Sequence, residues 1–196
     1  MAVDEYRARR TVFEKESAFR LQDGALIRGV EGLDVQRIAF TEVAEVALTY
    51  QPLTMVDRWV CSIRGAGGRI WLPSASFTGV GRAEDRRTSF RPFAQALSAA
   101  IAAQPAAGNI RFVKGNNWSA YGALALLIVL AIMAVLLALG MAGSMMDGKG
   151  VGGASWVFLP ALAVLWSARM VWRIWRRNRR CAFDPKSFPA DFASPA

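Results

Sequence analysis

The chain has 196 residues, with 24 Lys/Arg against 15 Asp/Glu and no histidine. That length allows one ordinary domain plus something smaller. The missing histidine removes the commonest general base and metal ligand, and it excludes a Ser-His-Asp triad.

Residues 1–12 form an N-terminal segment without an apolar core of signal-peptide type, so the following domain is expected to stay where it is made. From residue 13 to 110 the sequence reads as a β domain. Ser17–Gln22 leads into Asp23-Gly24, Ala25–Val30 into Glu31-Gly32, and Leu33–Phe40 follows. Such turns between short alternating runs predict consecutive hairpins. Val43–Tyr50 is a further strand that ends at Gln51-Pro52, although its start at Thr41 also suits a helix. Arg58–Arg64 and Arg69–Pro73 flank Gly65-Ala66-Gly67-Gly68 as another hairpin. That Gly-rich run lacks the Gly-Lys-Ser/Thr ending of a phosphate loop and joins two strands, which makes it a turn. Beyond Gly79–Asp85 the period changes. Phe90, Phe93, Leu97 and Ile101 fall at three- and four-residue spacings, predicting an amphipathic helix over about 88–104. Thr88 or Ser89 is the expected cap, Pro92 is placed in or near the first turn, and Gln104-Pro105 ends the helix.

Trp118–Met141 carries no Asp, Glu, Lys or Arg, and its length and apolarity predict a transmembrane helix. Ala142–Gly152 is then a short non-cytoplasmic loop. Residues 153–175 form a second transmembrane helix, kinked at Pro160, with Arg169 reaching toward headgroups from its end. A single crossing, with 151–170 lying elsewhere, is the alternative. The loop holds only Lys149, whereas Arg111 and Lys114 precede the first helix and five arginines lie within 173–180. By the positive-inside rule both termini are cytoplasmic, which predicts a multi-pass inner-membrane protein. Heavy use of Arg over Lys, 20 against 4, with much Ala and Gly, suits a bacterial source. Trp118, Tyr121, Trp156, Trp172 and Trp175 are the expected membrane-interface aromatics. Arg111, Lys114, Arg173, Arg176, Arg177, Arg179 and Arg180 are the candidate contacts for anionic lipid headgroups, a stop-transfer anchor being the competing reading. Residues 176–196 read as a basic, then Pro-rich, disordered tail.

Cys61 alternates like a core strand residue, Cys181 stands alone, and neither spacing suggests a metal site. No catalytic, metal or cofactor residues are assigned and no cofactor is expected. The expected partners are the lipid bilayer and an unidentified protein, with room for a homo-oligomer and no nucleic acid; an accessory subunit of a transporter or membrane complex is an alternative role.

Taken together, the turn at Asp23-Gly24, the segment RIAFTEVAEV, the hairpin GGRIWLPSASF and the segment EDRRTSFRPFAQALSAAI resemble bacterial PH-like domains attached to membrane helices. The resemblance covers residues 15–104. It implies an α+β fold, a small curled antiparallel sheet capped by a C-terminal helix, and a binding or scaffold role without catalysis. The basic cluster that serves inositide binding in eukaryotic PH domains is not matched by the scattered Arg20, Arg28 and Arg37, so that role is not carried over.

Overall fold

The computed structural model describes residues 5–52, 56–146 and 150–186. The chain is α+β and divides into a β unit, residues 1–115 with 180–196, and a helical unit, residues 116–179.

The β unit opens with four antiparallel strands in sequential order, β1 (Glu5–Ala8), β2 (Ser17–Gln22), β3 (Ala25–Val30) and β4 (Leu33–Ala39). Their hairpins follow from the turn residues. Asp23 and Gly24 have φ of 50° and 66°, and Glu31 and Gly32 have 53° and 83°. Two successive positive φ values give the turn whose twist matches that of paired strands. β1 lies in the segment expected to precede the domain. Its alternation is simple: Tyr6 and Ala8 are buried, Glu5 and Arg7 exposed.

A short 3-10 turn, Phe40–Glu42, leads into β5 (Val43–Pro52), which pairs with β6 (Asp57–Gly65), and β6 pairs with β7 (Gly68–Pro73). At Gly65 the sheet packs tightly: a β-carbon there would meet Ile38 Cγ2 at 2.8 Å and the Glu42 carbonyl at 2.9 Å. β8 (Ala75–Gly79) and β9 (Arg82–Asp85) make a separate two-stranded ribbon.

Helix α1 (Arg87–Ala102) starts slightly before its expected position, which moves Pro92 into the second turn. Neither Thr88 nor Ser89 is the N-cap residue; Arg86 is, and the Asp85 carboxylate accepts the Arg87 N–H at 2.9 Å. An acidic acceptor at a helix start satisfies a backbone donor that has no partner within the helix. α1 buries Phe90, Phe93, Ala94, Leu97 and Ile101. Tyr6 joins this face, with ring centroids 5.6 Å from Phe90 and 5.7 Å from Phe93, while its hydroxyl donates to the Pro73 carbonyl at 2.5 Å. The core continues through Leu26, Ile38, Leu48, Tyr50, Trp59, Ile63 and Leu72.

After α1, β10 (Arg111–Lys114) runs parallel to β5, and β11 (Cys181–Ala182) adds antiparallel to β10. This second sheet therefore has the order β11-β10-β5-β6-β7. Phe112 and Phe183 meet edge to face at 5.8 Å, and the Phe183 N–H donates to the Phe112 carbonyl. The segment expected as a disordered tail from residue 176 thus begins with the last turn of a helix and returns to the sheet; residues 187–196 lie outside the described residues.

The helical unit consists of α2 (Asn117–Met146) and α3 (Gly150–Asn178). The Asn116 N–H donates to the Asn178 carbonyl at 3.1 Å, so the start of α2 meets the end of α3 and the helices run antiparallel. The expectation of two transmembrane helices in a hairpin is corrected here. Among the described residues no helix is long and apolar enough to cross a membrane. The described part of α3 carries Arg169, Arg173, Arg176 and Arg177, and charge at that density is expensive to place in lipid. The inner-membrane, multi-pass placement with both termini cytoplasmic falls with the transmembrane reading.

Candidate functional site

The basic residues singled out from the sequence separate into two groups. In the β unit, Arg111 and Arg180 stand on either side of one carboxylate: their guanidinium nitrogens lie 3.6 and 3.7 Å from the same Glu45 oxygen. Register explains the first contact, since Arg111 pairs directly with Glu45 between β10 and β5. Lys114 is buried, with its ammonium 5.7 Å from the centre of the Trp59 ring. It belongs to the packing of the sheet and is not presented to a headgroup.

In the helical unit, Arg173 and Arg176 are exposed and Arg177 is half-buried on the last turns of α3. Trp172 and Trp175 face each other with centroids 4.8 Å apart, and the Arg179 guanidinium sits 5.2 Å from the centre of the Trp175 ring. A guanidinium at that distance from an indole is held by cation–π attraction. Tyr121 on α2 is exposed. The side chains of Trp118 and Trp156 lie outside the described residues.

A third feature was not anticipated. On the outer face of β1–β3 a depression of about 410 Å³ is lined by Glu5, Arg7, Arg9, Lys15, Glu16, Ala18, Arg20, Gly29, Glu31 and Gly32. Its floor is a cross-strand row, since Arg7 pairs with Ala18 and Ala18 with Gly29. Two minimal side chains in adjacent strands leave a hollow that the longer charged ones surround. Arg20 reaches across β3 to pair with Asp34, passing over Gly29.

Most of the charge around this hollow is already paired. Glu5 pairs with Arg7, Glu31 with Lys15, and Glu16 with Arg86. Arg86 also donates to the Arg7 carbonyl at 2.7 Å, tying the start of α1 to β1.

No group of three or more metal-ligating side chains occurs among the described residues. Cys61 is fully buried, and burial pushes its thiol up to about 12, leaving it protonated and unreactive at neutral pH. Cys181 is exposed. Burial likewise holds the Tyr6 phenol above its ordinary range. Arg58 is buried and its guanidinium is lowered by that burial; one nitrogen donates to the Arg10 carbonyl at 3.1 Å. These groups serve the core. Comparison with known proteins finds no matching family, curated protein or solved structure.

Proposed function

We propose that this chain is a non-enzymatic interaction protein, in which a PH-like β unit carries a helical element that docks against a protein partner. The observation that supports this reading is the surface of α2. Leu126, Ile128, Val129, Ile132, Val135, Leu136 and Leu139 are all between 48% and 64% exposed. A continuous apolar surface of this kind marks a place where another surface belongs. Covering one such side chain fully is worth about 1.5–3 kcal/mol, so a partner that seats several of them gains substantial affinity.

The test is co-purification of the tagged full-length chain beside an Ile128→Glu/Ile132→Glu variant. A stoichiometric polypeptide that accompanies the first and is lost from the second supports the proposal. A chain recovered as a lone monomer near 21.4 kDa contradicts it.

A second reading, anionic headgroup binding, rests on the Trp172–Trp175 pair with Arg179 stacked on it and Arg173 and Arg176 exposed nearby. Indole and guanidinium together suit a surface that is apolar below and negative above. It predicts that the full chain binds anionic vesicles more than neutral ones, with the excess lost at high salt. Equal binding to both vesicle types removes it.

A further inference from the structure

We infer that the hollow on the outer face of β1–β3 binds a small molecule carrying a single oxyanion, a carboxylate or a phosphate, with Arg9 as the residue that receives it. The hollow has the size of a small-molecule site, about 410 Å³, but its floor is Ala18 and Gly29 and its walls are charged. It therefore suits a polar ligand.

The charge around it selects the sign. Each carboxylate that lines the hollow already has a cation: Arg7 for Glu5, Lys15 for Glu31, and Arg86 for Glu16. Arg20 is committed to Asp34. Arg9 alone among the lining cations has no side-chain partner among the described residues. Its backbone, by contrast, is fixed. The Arg9 N–H donates to Ser76 Oγ at 3.0 Å, and its carbonyl accepts the Phe77 N–H at 3.1 Å. Arg9 is half-buried on a backbone held at both its N–H and its carbonyl, and a guanidinium fork fits carboxylate or phosphate with two parallel hydrogen bonds. The same walls limit the ligand to one such group. Among the described residues every other lining cation is already paired, so a second negative group would find no available donor.

The experiment follows the arginine side-chain N–H signals of the full-length chain by NMR during titration with inorganic phosphate, and separately with acetate, at constant ionic strength. Wild type is expected to show a saturable shift with at least one of the two, and the ion that saturates at the lower concentration identifies the class. Arg9→Gln is expected to abolish saturation, as is Ala18→Phe, which fills the floor. Arg82→Gln, on the exposed β9, leaves it unchanged. Shifts that stay linear in both titrations, or saturation that survives Arg9→Gln, overturn the assignment. Because Arg9→Gln removes no side-chain ion pair among the described residues, its result is readable even where Ala18→Phe disturbs the sheet.

Discussion

The β unit and the helical unit treat their apolar residues in opposite ways. In the β unit Leu26, Ile38, Leu48, Leu72, Phe90 and Leu97 are completely removed from water. In the helical unit Ile128, Val135, Leu136, Leu139, Leu165 and Trp166 are all more than half exposed. The first unit closes its own core by alternating strands and one helix laid against them. The second, two antiparallel helices, cannot cover every side of an all-round apolar sequence with one neighbour. Self-sufficiency belongs to the β unit, and an unfilled requirement for cover belongs to the helices.

This contrast can be broken most sharply at the core. Phe93→Ala removes a ring packed on Tyr6 and is expected to cost about 3–5 kcal/mol, read as a fall in the urea midpoint. The matching truncation in α2, Ile132→Ala, is expected to cost less than about 1 kcal/mol, since the side chain is half exposed already. Equal losses would erase the distinction between the units. Gly65→Ala is next in size. Its added methyl runs into Ile38 and the Glu42 carbonyl, so about 1–3 kcal/mol is expected from overpacking.

The two thiols sharpen the comparison without a core mutation. Cys181 reacts with a thiol reagent at neutral pH and Cys61 does not until the β unit unfolds, giving one labelled thiol in buffer and two in denaturant. The raised thiol also has a consequence for stability. Folded Cys61 keeps its proton to about pH 12 while the unfolded thiol loses it near 9.0. The contribution is therefore complete below pH 9 and is lost as pH rises from there toward 12, with Tyr6 acting in the same direction. An unfolding midpoint that is flat across that range would contradict the burial of both groups. Smallest of all is Arg20→Ala, which breaks an exposed ion pair with Asp34 and is expected to cost under about 1 kcal/mol.

What the sequence disclosed and what it concealed follow the same division. Asp23-Gly24 and Glu31-Gly32 announced their hairpins because the turn conformation is local and few residues adopt it. Phe90, Phe93, Leu97 and Ile101 announced α1 by their spacing. β10 and β11 were hidden. Their partners lie across long stretches of chain, and nothing within four or two residues specifies a parallel register with Glu45–Leu48. β8 and β9 were hidden because each is short, and β9 is mostly charged. The hollow was hidden because Arg7, Ala18 and Gly29 become neighbours only through register. For the helical unit, the sequence disclosed apolar residues that favour burial over contact with water. Avoidance of water does not say what takes the place of water, and the inference to a pair of membrane crossings was drawn from composition alone.

The most direct test measures the mass of the complex formed by the full-length chain by light scattering, prepared without detergent. The apolar surface of α2 predicts a particle heavier than one chain, holding a second polypeptide in fixed ratio, and its return to lower mass in Ile128→Glu/Ile132→Glu. A single, well-behaved species of 21.4 kDa, unchanged by those substitutions, would show that the surface needs no cover and would contradict the account.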